Sequence, residues 1–218
     1  MTDLLIIKPE DVQKGSVYRF SDQIINTLRK VEELFVVGTG IAISLTATAV
    51  SRAASIANVN IGEVTLDYIG APKLGIGGIF FVLNKEPRID WEAKKNDLEK
   101  TLNLSFDRGG QLLIISNNLP NDRAIPLALS RVAETGSLKI SAAGTAINRE
   151  VPIALELVKG GLAKEELGIE LVFVTTKPHK LDDTGTVRPE TIMEIFISKG
   201  KKHLSRKHEQ ILKMLTSG

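Results

Sequence analysis

Leu138 to Val158 reads Leu-Lys-Ile-Ser-Ala-Ala-Gly-Thr-Ala-Ile-Asn-Arg-Glu-Val-Pro-Ile-Ala-Leu-Glu-Leu-Val, and a fainter copy precedes it. The copy, Leu34 to Ala54, is Leu-Phe-Val-Val-Gly-Thr-Gly-Ile-Ala-Ile-Ser-Leu-Thr-Ala-Thr-Ala-Val-Ser-Arg-Ala-Ala. Placing Gly40 on Gly144, an offset of 104 positions, also places Ala42 on Ala146, Ile43 on Ile147 and Ser44 on Asn148. Each copy has an apolar, β-prone run before the glycine and a helical pattern after it. A glycine at such a joint supplies a positive φ or a close backbone approach. Ser44 and Asn148 are candidate helix caps. Few residues are identical, so the case for a repeat rests on what flanks each copy.

Around the first copy, Leu4 to Ile7 is a short apolar run that suits an extra edge strand, and Val17 to Phe20 is a second run. Ser21-Asp22 reads as a helix start, followed by Ile24, Ile25, Leu28 and Val31 at helical spacing. Glu63 to Ile69 and Ile79 to Leu83 read as strands, with Gly70, Pro72, Gly75, Gly77 and Gly78 as a loose hairpin tip. The alanines after Ile41 permit close approach of another element. Around the second copy, Gln111 to Ile115 reads as a strand and Pro120 as a helix start, with Pro126 marking the first turn. Thr135-Gly136 and Gly160-Gly161 read as helix stops. Ile169 to Thr175 and Thr191 to Ser198 are strands joined by a long polar arm, Lys177 to Arg188. Both units thus read strand, helix, strand, helix, strand, strand, an order that argues for duplication more strongly than the thin identity. The organisation expected is a first unit over 1–86, a charged helical connector over 87–110, a second unit over 111–202, and a basic C-terminal tail over 203–218. Trp91 is expected to anchor the connector, and Arg108-Gly109-Gly110 to turn into the second unit.

The chain has 218 residues, a net charge of +2 and no cysteine, which excludes disulfides, thiolate metal sites and cysteine nucleophiles. Its histidines, His179, His203 and His208, lie near the end, and the last two flank a Lys/Arg cluster, a poor setting for a metal cation. No apolar run approaches the roughly 18 residues of a membrane span, and a secretory leader is not evident. A cytoplasmic protein is expected, with no membrane association. The final segment carries Lys199, Lys201, Lys202, Arg206, Lys207 and Lys213 against Glu209. It reads either as a contact for a polyanion or as a solvated terminal helix.

Two stretches bear a resemblance to a known family. Ile140-Ser-Ala-Ala-Gly-Thr-Ala-Ile-Asn-Arg-Glu-Val resembles the second strand and second helix of the Alba family of archaeal nucleic-acid-binding proteins. Arg188-Pro-Glu-Thr-Ile-Met-Glu-Ile-Phe-Ile-Ser-Lys resembles its closing strand and basic end. The likeness covers about Gln111 to Lys202, with a more divergent copy from about Val17 to Lys85. It implies an α/β (α+β) fold of two tandem β-α-β-α-β-β Alba-like domains. Alba proteins usually dimerise, so the two domains are expected to pack as a pseudo-dimer within one chain. It also implies DNA or RNA binding without catalysis, a nucleoid or chromatin association, and a homo-oligomer or an Alba-type subunit as partner.

The family's three binding regions are only partly kept. The turn Asn117-Asn118-Leu119-Pro120 has no lysine, and Arg19 is the nearest cation in the first unit. Ile41 and Thr145 follow the joint glycines where a basic residue is the pattern, and the helix lysine becomes Leu45 or Arg149. The arm keeps Lys177, His179, Lys180 and Arg188. The candidate phosphate contacts are therefore Arg19, Arg123, Arg149, Lys177, Lys180, Arg188, Lys199, Lys201 and Lys202. Arg123 and Arg149 either line a phosphate face or form ion pairs with neighbours such as Asp122 and Glu150. Gly38-Thr39-Gly40 superficially resembles a phosphate loop but lacks the remaining spaced residues. There is no Ser/His/Asp set, metal-ligand spacing or convincing carboxylate pair, so no enzyme, metal or cofactor is expected. The alternative reading is a protein-interaction or assembly module that keeps the fold without the nucleic-acid surface.

Overall fold

The computed structural model describes residues 1–14, 16–70, 75–104, 110–163, 165–180, 187–200 and 205–216, the side chains at 14, 179, 180, 187 and 188 aside. The first unit comprises β1 (Thr2–Ile7), α1 (Asp11–Lys14), α2 (Val17–Leu28), β2 (Glu33–Thr39), α3 (Ile43–Ile56), β3 (Asn60–Ile69) and β4 (Ile76–Asn84). A connecting helix, α4 (Trp91–Thr101), follows. The second unit comprises β5 (Leu112–Ile115), α5 (Asn121–Thr135), β6 (Ser137–Ala143), α6 (Ile147–Lys159), β7 (Leu167–Lys180) and β8 (Val187–Lys199). The chain then forms α7 (Arg206–Thr216). The expected α+β fold of two tandem β-α-β-α-β-β units is the observed one. The sheets have matching orders, β1-β2-β4-β3 and β5-β6-β8-β7, each with one parallel edge pair. A register shift interrupts both closing hairpins at equivalent places, Ile61/Glu63 and Ile169/Leu171.

Several details differ from the sequence reading. The first strand is Thr2–Ile7, so the run taken as an extra edge strand belongs to the unit itself. Val17 to Phe20 is the first turn of α2 rather than an extended run. Ser16 caps it by accepting the Arg19 N–H at 3.2 Å, which outweighs the β propensity of Val-Tyr-Arg-Phe. Pro126 lies in the second turn of α5, which begins at Asn121, and Pro152 occupies the same sixth position in α6.

The joints after β2 and β6 are alike. Gly40 has φ +54° and Gly144 φ +56°, and each opens a 3-10 turn leading into a helix. Ser44 and Asn148 do not cap their own helices, whose capping positions are Ala42 and Ala146. Instead Asn148 Oδ1 accepts the Ser44 N–H across the molecule at 2.8 Å. These two residues are equivalent under the 104-residue offset, so the bond marks the pseudo-two-fold axis. Either side of it, the backbone of Gly77 comes close enough to α6 that a Cβ there would lie 3.3 Å from Leu155. In the opposite sense, Ser51 on α3 and Thr176 on β7 share a hydrogen bond of 2.7 Å between their hydroxyls. The inner faces of both sheets and their helices form one continuous core, with Leu34, Phe81, Leu138 and Ile195 among its members. The two units are thus packed as a pseudo-dimer.

The outer face of each sheet is covered by a helix that has crossed from the other unit. Sheet one presents Phe35, Val37, Phe80 and Val82, and α7, arriving from the second unit, buries Ile211 among them. Sheet two is covered by α4, arriving from the first unit. Trp91 anchors the start of α4 as expected, its Nε1–H donating to the Ile61 carbonyl at 2.7 Å. Of the Arg108-Gly109-Gly110 turn, only Gly110 lies within the described residues.

Candidate nucleic-acid interface

In the second unit, β6 ends at Ala143 opposite Ile192, but the β7–β8 ladder continues for five more pairs, from Thr176–Thr191 to Lys180–Val187. As far as Lys180 and from Val187 onward, the polar arm is therefore a paired hairpin that stands beyond its sheet. The first unit's hairpin runs only two pairs past the end of β2, Tyr68–Gly77 and Ile69–Ile76. Lys177 is exposed on the arm, at the register position opposite Glu190. Lys180 and Arg188 have strand backbone near its end, one register step apart.

Arg149, at the third position of α6, turns its guanidinium onto the β5–α5 loop. Its guanidinium donates to the carbonyls of Ser116, Asn117 and Leu119 and to Asn121 Oδ1. The five fixed N–H donors of arginine suit this task, and the group serves as an internal tie for the β5–α5 loop. Asn117 adds a bond to Thr145 at 3.0 Å. Arg19 and Arg123 lie exposed at the third residue of α2 and of α5, again 104 positions apart. Lys199 lies at the opposite end of β8 from the arm and pairs with Glu165 at 2.8 Å. Lys201 and Lys202 lie outside the described residues.

The described part of the basic tail, α7, docks one face on sheet one and leaves the other exposed. Its His208 is fully buried, with Nε2 3.0 Å from Asp67 Oδ2, Nδ1 2.6 Å from Thr65 Oγ1, and its ring edge-on to Phe80. Lys207 pairs with Glu33 at 2.5 Å. Burial pushes the Asp67 carboxyl up, but hydrogen bonds from His208 and Lys159 outweigh it and hold the group below the usual carboxylate range.

The sequence reading passes over a cluster formed between α2 and α3. Arg52 on α3 places its guanidinium 4.3 Å from the centroid of the Tyr18 ring on α2. Tyr18 is 62% exposed, and Arg19 follows it. Neither arginine has an acidic partner among the described residues, and Arg52 Nε is buried without a hydrogen bond. Ser51, the residue before Arg52, is the one that bonds Thr176 at the root of the arm. In linear order Tyr18 and Arg52 are 34 positions apart, and only the packing of α2 on α3 unites them.

Among the described residues no group of His, Asp and Glu is placed to hold a metal ion, and no helix is long and apolar enough to cross a membrane. No family model matches the sequence, and no curated protein matches it. Among solved structures it is similar to Alba from Thermoplasma volcanium, with 14% identity and a TM-score of 0.36, over 41% of this chain and 100% of that one. It is similar also to ALBA1 from Trypanosoma brucei, with 17% identity and a TM-score of 0.34, over 51% of this chain and 87% of that one. Each of these likenesses extends over about half of this chain.

Proposed function

We propose that the protein binds nucleic acid, RNA or DNA, without catalysis and with weak sequence preference, through a surface shared by its two units. The observation that carries this reading is the Ser51–Thr176 bond. It seats the root of the second unit's arm on the first unit's α3, so that Lys177 follows one partner and Arg52 the other. In sequence the arm's Lys177 and α3's Arg52 flank this contact, and Arg52 and Arg19 are two guanidiniums with no acidic partner among the described residues. Phosphate contacts of this kind supply affinity without reading bases. The Alba-like stretches in the sequence support the same reading.

Titration of labelled single-stranded RNA and duplex DNA at low and high salt tests it. Binding should weaken steeply with salt, and neutralising Lys177, Lys180 and Arg188 together should weaken it further. That variant should also lower the slope of log affinity against log salt, by roughly 0.7–0.9 for each phosphate that the protein no longer neutralises. An unchanged slope removes the arm from the surface.

A second reading, an assembly module with an Alba-type subunit or a ribonucleoprotein as partner, draws on one observation. At the end of the first unit's sheet Ile41 and Ile76 are exposed, 57% and 55%, where a phosphate-binding turn would carry cations. Light scattering of a mixture with an Alba-type subunit separates the two, since a shift in mass without nucleic acid favours assembly.

A further inference from the structure

We infer that Tyr18 is a base-stacking platform, flanked by Arg52 and Arg19, and that the ligand of this surface is a single strand rather than a duplex. The inference rests on the nucleic-acid reading above and adds the class of ligand. A duplex offers a protein its phosphates and groove edges, whereas a single strand also offers the flat faces of its bases. Stacking on an aromatic ring tolerates any sequence because every base has such a face.

The geometry suits that chemistry. Arg52 lies over the Tyr18 ring, while the residue keeps 62% of its surface in solvent. The ring sits in the first turn of α2, and its neighbour Arg19 is exposed. Arg52 Nε is buried and makes no hydrogen bond, and neither arginine is neutralised by an acid among the described residues. A ring held by one cation and bordered by another can take a base on its open area while the cations take the flanking phosphates.

The second unit shows that the arrangement is not a by-product of the fold. At the positions equivalent to Tyr18 and Arg52 under the 104-residue offset stand Asp122 and Glu156. Glu156 there accepts a hydrogen bond from Tyr68 at 3.4 Å. The helix pair packs without an aromatic–arginine stack in that unit, so the stack in the first is not required to hold such a pair together.

Polarisation titrations with four labelled probes of equal length test this: single-stranded RNA, single-stranded DNA, duplex DNA, and a single strand of abasic sugar-phosphate. The intact protein should bind the two base-bearing single strands more tightly than the abasic strand or the duplex. Tyr18→Ala should lose about tenfold on the base-bearing strands alone, and Tyr18→Trp should retain or improve their binding. Equal losses on all four probes, or no loss on any, would overturn the stacking site while leaving the phosphate-binding surface standing. If the intact protein bound none of the probes at low salt, the nucleic-acid reading would fall and this inference with it.

Discussion

The outer faces of the two sheets have the same pairing and opposite chemistry. In sheet one Phe35 pairs with Val82, and Val37 with Phe80. In sheet two the corresponding pairs are Lys139 with Phe196, and Ser141 with Glu194. The first face is closed by the apolar side of α7. The second is closed by α4 through charge. Lys139 lies 3.1 Å from both Glu99 and Glu194, and Lys95 lies 3.4 Å from Glu194 and 4.9 Å from the centre of the Phe173 ring. One backbone solution therefore accepts either cover. The apolar cover is non-directional and gains from area alone, whereas the ionic one demands that every charge keep its partner.

The sharpest way to break the contrast is to damage each cover in turn. Phe80→Ala, beneath α7, should destabilise the fold by about 3–5 kcal/mol, as large-to-small changes in packed cores do. Lys139→Ala should cost about 2 kcal/mol by leaving Glu194 and Glu99 short of a cation, the partial exposure of the network tempering the loss. Urea unfolding at low and at high salt sharpens the comparison. The Lys139 penalty should shrink with salt and the Phe80 penalty should not. Equal salt responses would mean that the two covers do not differ in kind.

A second contrast lies inside the units. Thr46 and Glu150 are equivalent under the offset and both are fully buried. Thr46 satisfies its hydroxyl on the Ala42 carbonyl at 2.8 Å, whereas neither oxygen of Glu150 has a hydrogen-bond partner among the described residues. Burial, with Glu194 adding repulsion, raises the Glu150 carboxyl well above its usual range. Its folded pKa thus exceeds the unfolded one. The penalty is absent below about 4.5, the ordinary value for a glutamate, and grows as pH rises, because the unfolded chain ionises first. Glu150→Gln should therefore raise the melting temperature at pH 8 and leave it unchanged at pH 4. A gain of the same size at both pH values would show that titration is not the cause. The smallest effect is expected at the exposed Lys199–Glu165 pair, where Lys199→Ala should change stability by no more than about 0.5 kcal/mol in a denaturant titration.

Much of the fold is legible in the sequence because the joint glycines force it. Gly40 and Gly144 both need positive φ, and their 104-residue spacing is the one at which Ser44 and Asn148 meet. Val17 to Phe20 misleads because its side chains are β-prone, while the helix is decided by Ser16, whose hydroxyl caps it. The candidate site is less legible. Arg149 looks like any helix arginine until the β5–α5 loop folds back and offers it three carbonyls. His208 reads as part of a basic tail, and only the docking of α7 reveals that it is buried against Thr65 and Asp67. Lys177, by contrast, is placed on the arm by sequence alone because the strand pattern brackets it on both sides.

The crossing of the two outer helices also bears on the order in which the protein is made. The strands of sheet one are all synthesised by Asn84, yet their outer cover ends at Thr216. During translation Phe35, Phe80 and Val82 must wait on the order of ten seconds, at typical rates of elongation, before α7 leaves the ribosome. The first sheet to be synthesised is the last to be finished, and in that interval its apolar face is open to chaperones and to other nascent chains.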